Sequence, residues 1–160
     1  MPAARNDLPL EEFVKRLPGQ GALMGLDLGT VTIGLAVSDV RRQIATPLRT
    51  IERTRFSADA RDLLAETTRL GIAGLVLGLP LNMDGSEGPR VQATRAFARN
   101  LAALTDLPLL FWDERLSTAA VTRTLLEADT SRKRRDEVID KMAAAYILQG
   151  ALDRMAKLGS

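Results

Sequence analysis

Several carboxylates in this sequence occupy positions where an acid is costly. Asp27 lies in the middle of the apolar stretch GLDLG, with Gly25 and Gly29 on either side. A buried carboxylate is unfavourable unless a partner compensates its charge. Further acids stand at the end of an apolar segment or at the border of an apolar helical arc: Asp39, Asp113, Glu114 and Asp140. If these segments converge, the negative charges would repel one another, and a divalent cation would relieve that repulsion.

The amino-acid composition restricts the chemistry that these acids can perform. The 160-residue chain contains no histidine and no cysteine, which excludes disulfides, cysteine–zinc sites, thiol nucleophiles and any Ser-His machinery. An enzyme with this sequence must therefore use carboxylates, hydroxyls, basic side chains, backbone amides and a metal. Oxygen ligands alone favour a hard cation, Mg²⁺ or Mn²⁺. Two such ions, roughly 3.5–4 Å apart, would suit hydrolysis of a phosphodiester.

Each acid taken alone also has an ordinary structural explanation as a cap, a turn former or half of an ion pair. Asp39 could open a turn before Arg41, Asp113 could pair with Arg115 or cap the following loop, and Asp140 could pair with Arg135 or Lys141. Asp27 fits this explanation least, because its neighbours Leu26 and Leu28 are apolar and its strand is expected to be central.

Periodicity and turn residues predict the elements that position these acids. Apolar, β-branched segments predict five strands, at 22–28, 31–38, 44–51, 72–78 and 108–112. Four helices are predicted. The first, at 57–70, is capped by Ser57, and the second spans 89–104. The third begins after a cap at Ser117, and the last, at 136–157, follows a basic loop. Short turns predict antiparallel pairing of the first three strands, and the later β-α-β connections predict parallel pairing. The fold class is therefore α/β, with a mixed five-stranded sheet and helices on both faces.

The domain organisation and the location follow from length and hydropathy. We expect an N-terminal extension over residues 1–20 and one domain over 21–160. No apolar run approaches the ~20 residues of a membrane span, and the N-terminus lacks the apolar stretch of a secretory signal. A cytoplasmic protein without membrane contact is predicted.

Basic residues are clustered although the net charge is only +2. The segment SRKRR at 131–135 holds four cations in five residues, and arginines also recur along the helix predicted at 89–104. Further basic positions are Arg41, Arg42, Arg49, Arg53 and Arg55. Clustered cations are the expected footprint of a phosphate backbone, although any single cluster is also explained as a solvated face.

Four motifs in order resemble one known family. GLDLGTVTIGLAVSD, GLPLNMDGSEGP, DERLST and VIDKMAAAYILQGALD closely resemble the YqgF/RuvX family, over about residues 22–155. Members of that family are described as Holliday junction resolvases and as pre-16S ribosomal RNA nucleases. The resemblance implies an RNase H-like fold and metal-dependent phosphodiester hydrolysis in the cytoplasm.

The resemblance also assigns residues. Its acids correspond to Asp27, Glu114 and Asp140, which would act as catalytic metal ligands for two Mg²⁺ or Mn²⁺ ions, with Asp39 and Asp113 as further candidates for metal binding or support. We expect nucleic-acid contacts from Arg90, Arg115, Ser117, Arg132, Lys133, Arg134 and Arg135. The partners implied are branched DNA, precursor rRNA or both, and resolution of a junction would require a homodimer.

Two other function classes remain open at this stage. A DLGT-like hairpin also occurs in ATPases of the actin, Hsp70 and sugar-kinase type, but those need two such domains around a nucleotide, and 160 residues supply one. A module that binds structured nucleic acid without cutting it is the other alternative. Cleavage that depends on Asp27, binding without cleavage, and ATP hydrolysis distinguish the three.

Overall fold

The computed structural model describes residues 8–116 and 132–158, with the backbone alone for 132–140. Within these residues, the strands are β1 (Leu23–Leu28), β2 (Thr32–Ser38), β3 (Ala45–Glu52), β4 (Gly74–Leu79) and β5 (Leu109–Asp113). The α-helices are α1 (Leu10–Arg16), α2 (Phe56–Leu70), α3 (Pro89–Ala102) and α4 (Arg132–Leu158). A 3₁₀ helix over Glu114–Leu116 follows β5 directly.

The strands form one mixed sheet in the order β3-β2-β1-β4-β5. β1, β2 and β3 pair antiparallel, whereas β4 runs parallel to both β1 and β5. The predicted fold class is thereby confirmed. Because β1, β4 and β5 are parallel, their carboxyl ends at Leu28, Leu79 and Asp113 lie along one edge of the sheet, which we call the carboxyl edge.

Apolar side chains on the two faces of the sheet build two cores. Leu26 and Leu77 belong to the core under α2 and α3, and Val76 and Trp112 belong to the core under α1 and α4. Helix α4 lies so close to β1 that a Cβ on Gly25 would stand 2.8 Å from the carbonyl oxygen of Ala144. Glycine is therefore required at this crossing, and α4 is held directly against the strand that carries Asp27.

Helix α1 is part of the second core although it lies in the predicted N-terminal extension. Phe13 is fully buried, and its ring and the side chain of Leu17 pack over Gly74 of β4. Among the described residues, no helix has the length and apolar character needed to cross a bilayer.

Two local predictions were wrong. The basic segment was expected to be a loop, but α4 already begins at Arg132, because lysine and arginine favour helix and no glycine or proline interrupts residues 117–149. Ser57 does not cap α2; Asp59 instead accepts hydrogen bonds from the amide and hydroxyl of Thr54, at 3.1 Å each. The helix expected after Ser117 lies outside the described residues.

Candidate active site

Asp27 and Glu114 are buried acids at the carboxyl edge. Asp27 is the fifth residue of β1 and is 1% exposed, and Glu114 directly follows β5 and is 4% exposed. Burying a carboxylate on an otherwise apolar strand costs several kcal/mol when the charge is uncompensated, on the order of 2–7 for a polar group alone. Two such acids on neighbouring parts of one sheet edge indicate a functional arrangement rather than a chance one.

Gly78 of β4 brings the two acids towards each other. The β1–β4 register pairs Leu26 with Leu77, so Asp27 lies beside Gly78 on the next pair of positions. A Cβ on Gly78 would stand 3.0 Å from Glu114 Oε2, so the Glu114 carboxylate lies over this glycine. Alternation along the strands directs both Gly78 and Asp27 to the face covered by α4. Gly78 thus places no side chain between Asp27 and the Glu114 carboxylate.

The backbone of α4 runs from above Gly78 to the position of Asp140. Ile147 lies above Gly78, and Ala144 lies above Gly25. Residue 140 precedes Ala144 by one helical turn, a rise of about 6 Å, and Asp27 lies a similar distance beyond Gly25 along β1. The carboxamide of Gln149 accepts a 2.9 Å hydrogen bond from the amide of Ala45, towards the opposite edge, which fixes the direction of the helix. The α4 backbone at residue 140 therefore runs towards the carboxyl edge; the Asp140 side chain lies outside the described part of the structure.

Asp113 forms an ion pair with Arg115 on the face of the sheet opposite to α4. The guanidinium donates to both carboxylate oxygens of Asp113, with the shortest contact 2.7 Å from Nη2, and the backbone amide of Arg115 adds a 2.9 Å bond. The Arg115 side chain holds the pKa of Asp113 below its ordinary value. Arg115 also donates from Nη1 to the carbonyl of Met83 at 3.2 Å. This pair therefore ties the loop between β4 and α3 to the end of β5.

The structure places Asp39 away from the other acids. Asp27 is paired with Gly34 on β2, and Asp39 follows the far end of that strand, five residues or roughly 17 Å along. Its carboxylate accepts hydrogen bonds from the amides of Gln43 at 2.7 Å and Ile44 at 2.9 Å. The Ile44 and Gln43 amides hold the Asp39 pKa below its ordinary value. Asp39 thus closes the β2–β3 turn, the alternative that its sequence context offered.

Two arginines bind the peptide carbonyls that directly follow Asp27. Arg90, on the first turn of α3, donates from Nη2 to the carbonyl of Leu28 at 3.1 Å. Arg53, in the connection between β3 and α2, donates from Nη1 to the carbonyl of Gly29 at 2.8 Å. Arg90 was a predicted nucleic-acid contact. Arg53 stood out in the sequence only as one of several scattered cations, because its contact depends on how the β1–β2 turn meets a distant segment.

The remaining predicted nucleic-acid contacts lie outside the described side chains. Ser117 lies outside the described residues, and for the four cations on the first turn of α4 only the backbone is described: Arg132, Lys133, Arg134 and Arg135.

The described residues fit a hard divalent cation but do not by themselves complete a site. Within the described side chains, no group of three or more acidic residues lies close enough together to hold a metal. Asp27 and Glu114 nevertheless supply carboxylate oxygens on either side of β4 at the carboxyl edge, and the Glu114 carboxylate packs directly over Gly78. Carboxylate oxygens are the donors that Mg²⁺ and Mn²⁺ prefer.

Comparison with solved structures identifies the class of fold. Thermus thermophilus RuvC in complex with a Holliday junction substrate superposes with a TM-score of 0.53 at 14% identity, covering 87% of this chain and 96% of that one. A second Thermus thermophilus RuvC structure gives a TM-score of 0.51 at 13% identity, covering 86% and 96%. The fold is the RuvC-like, RNase H-like fold expected from the sequence.

Sequence comparison then identifies the family. The model of the family described as "RuvX: Holliday junction resolvase" matches residues 21–154, and the chain belongs to this family of hydrolytic nucleases. Similar proteins from Rhodobacter capsulatus and Paracoccus denitrificans are each 65% identical over 150 residues. Each match covers 94% of this chain; it covers 94% of the Rhodobacter capsulatus protein and 95% of the Paracoccus denitrificans protein. Both proteins bear the name "Putative pre-16S rRNA nuclease". The resemblance stated from the motifs is confirmed.

Proposed function

We propose that this chain is a divalent-cation-dependent endonuclease that hydrolyses phosphodiester bonds in structured nucleic acid. The observation that carries the proposal is the burial of Asp27 beside Gly78 and of Glu114 over it, at the carboxyl edge. Membership of a family of junction-resolving nucleases supports the same conclusion.

The proposed metal ligands are Asp27, Glu114 and Asp140. The course of the α4 backbone from Ile147 through Ala144 supports the third assignment, because it directs residue 140 towards Asp27. With neither histidine nor cysteine available, these oxygen donors favour Mg²⁺ or Mn²⁺, and we propose a two-ion site. When bound, such ions supply an activated water and neutralise negative charge on the phosphodiester.

Other residues of the chain are proposed to bind and orient the substrate. Arg90 lies beside the carbonyl that follows Asp27 and would contact a phosphate of the bound strand. Arg115 would act through the loop that it ties to β5, and Ser117 and the basic first turn of α4 would extend the phosphate contacts. No histidine exists to take the proton from the attacking water, so a carboxylate or a substrate phosphate must accept it.

Two substrates are proposed, for different reasons. The family description favours a four-way DNA junction, and the names of the 65% identical relatives favour the precursor of 16S rRNA. Cleavage of both strands of a junction requires two active sites, so the junction proposal includes a homodimer. Both substrates are consistent with the cytoplasmic setting expected from the sequence, which is part of the same proposal.

Cleavage of a four-way DNA junction and of a 5′-extended 16S precursor, measured side by side with Mn²⁺, tests the proposal. Wild type should cut at least one, and Asp27→Asn should cut neither while binding both. Asp39→Asn is the matched control, because it makes the same acid-to-amide change at the other end of β2 and should retain the wild-type rate. Binding without cleavage by wild type would instead support a non-cleaving module, and hydrolysis of ATP would support the third function class.

A further inference from the structure

The turn that follows Asp27 is held by arginines from two different elements. The Leu28 carbonyl accepts a hydrogen bond from Arg90, and the Gly29 carbonyl accepts one from Arg53. The turn is short, since the amide of Gly29 donates to the carbonyl of Thr32 at 2.9 Å. The carboxyl end of β1 is therefore linked directly to two cationic side chains.

The segment that carries Arg53 is itself firmly positioned. The Arg53 amide donates to the carbonyl of Val31 at 2.9 Å, across the same turn. The buried carboxylate of Asp59 holds the next residue, Thr54, through its amide and its hydroxyl. The guanidinium carbon lies 5.9 Å from the ring centroid of Phe97, within cation–π range. The backbone around Arg53 is thus held by hydrogen bonds, and its side chain is held in place near the carboxyl edge.

Arg53 forms no ion pair with an acid among the described residues. Four other arginines of the described chain form ion pairs with Asp or Glu: Arg49, Arg69, Arg95 and Arg115. Within the described part of the chain, neither Arg53 nor Arg90 forms such a pair, and each donates to a neutral carbonyl instead. A guanidinium has five N–H donors in a fork that matches a phosphate, and one carbonyl uses a single donor. Two exposed positive charges therefore remain at the edge that holds Asp27 and Glu114.

We infer that Arg53 acts with Arg90 as a phosphate-binding pair for the nucleic-acid backbone. The two guanidinium groups would bind a backbone phosphate next to the scissile bond. Their hydrogen bonds to the turn after β1 would position Asp27 relative to that phosphate. Arg53 is thereby assigned both a substrate contact and a positioning role. This inference rests on the proposed nuclease function and extends it to a residue that no motif contains.

Three substitutions separate these roles of Arg53. Arg53→Gln retains a neutral N–H donor but loses the charge, Arg53→Lys retains the charge and a donor, and Arg53→Ala loses both. Arg41→Gln is the matched control, because Arg41 is an exposed arginine in the β2–β3 turn at the opposite end of the sheet. Arg90→Gln serves as a second variant in the same series.

Binding is measured with a labelled four-way DNA junction and a labelled 16S-precursor RNA hairpin, in EDTA, over a range of NaCl concentrations. Arg53→Gln and Arg90→Gln should each reduce the slope of log affinity against log salt by about one, and the double variant by about two. Arg53→Lys and Arg41→Gln should keep the wild-type slope. Steady-state cleavage should show a raised KM for Arg53→Gln, and a raised KM together with a lowered kcat for Arg53→Ala.

Two results would overturn the inference and remain distinguishable. If wild type cleaves and Arg53→Gln binds with an unchanged salt slope, Arg53 does not contact phosphate and the nuclease proposal stands. If wild type binds neither probe and cleaves neither substrate, the inference and the proposed function both fail.

Discussion

The Glu114 carboxylate lies directly over Gly78, so close that a Cβ on this glycine would stand 3.0 Å from Oε2 and 3.1 Å from Cγ. The same Cβ would overlap with Cδ1 of Ile147 on α4. A side chain at position 78 would therefore displace either the acid or the helix. The absence of a side chain at position 78 therefore allows Glu114 and Ile147 to pack over β4, next to the strand that carries Asp27.

Gly78→Ala tests this relationship. The added methyl should lower the unfolding free energy by about 1–3 kcal/mol through overpacking against Ile147. Cleavage should fall by at least roughly tenfold, because Glu114 is moved from its position. Thermal denaturation and single-turnover cleavage measure the two effects. Gly19→Ala is the control, since nothing lies within 4 Å of its added Cβ, and it should change neither. A folded Gly78→Ala protein that cleaves at the wild-type rate would contradict the proposed site.

Asp113→Asn distinguishes a metal ligand from a partner of Arg115. The Asp113 carboxylate is already bound by the Arg115 guanidinium. We therefore expect the Asp113→Asn variant to bind Mn²⁺ with an affinity within about threefold of wild type. Removing a residue that supports a metal ligand typically lowers metal affinity by about 10–100-fold, so this change would be clearly smaller. The loop at 80–88 should loosen, because Arg115 also holds the Met83 carbonyl. Hydrogen exchange of the loop amides should therefore increase. Loss of Mn²⁺ binding with an unchanged loop would instead make Asp113 a ligand.

Glu66 is expected to stabilise the fold away from the site. Its buried carboxylate accepts hydrogen bonds from Arg69 at 2.7 Å and Arg49 at 2.8 Å, which hold its pKa below the ordinary 4.5. Glu66→Gln should cost about 1–3 kcal/mol at pH 7, because two charge-assisted bonds are lost and Arg69 loses its charged partner. Urea unfolding measures this change. Asp62→Asn, an exposed partner of Arg49, should cost less than about 1 kcal/mol.

The same ion pairs predict how stability depends on pH. A carboxyl whose pKa is lower in the folded state contributes stability above its unfolded pKa and loses it as pH falls through the folded pKa. The difference between wild type and Glu66→Gln should therefore be full at pH 7 and shrink below about pH 4.5. A difference that stays constant down to pH 3 would show that the ion pairs are not its source.

The sheet was predictable because its strands are unambiguous in the sequence. Segments such as the one containing Leu75 and Val76 are continuous apolar runs bounded by glycine or proline, and their observed ends differ from prediction by at most two residues. Asp27 was predictable as a site residue for the same reason, since an acid is conspicuous in such a run. The location of Asp39 was not, because the sequence does not show at which end of the sheet a strand terminus will lie.

Features that depend on contacts between distant segments were missed. Arg53 is distinguished from other arginines by contacts such as its bond to Gly29, which lies 24 residues earlier. The start of α4 at Arg132 was missed because a cluster of cations suggested a solvated loop, whereas helix propensity and the absence of a breaker extend the helix through it. Sequence patterns thus predict the elements and the buried acids, and tertiary contacts decide which cations face them.

Mn²⁺ binding followed by electron paramagnetic resonance tests the central claim most directly, namely that Asp27, Glu114 and Asp140 bind one cationic centre. Wild type should bind Mn²⁺, and Asp27→Asn, Glu114→Gln and Asp140→Asn should each weaken binding at least roughly tenfold. Asp39→Asn should bind as wild type does, because its amide oxygen can still close the β2–β3 turn. Wild-type Mn²⁺ affinity in the Asp27 and Glu114 variants, or no binding by wild type, would contradict the account.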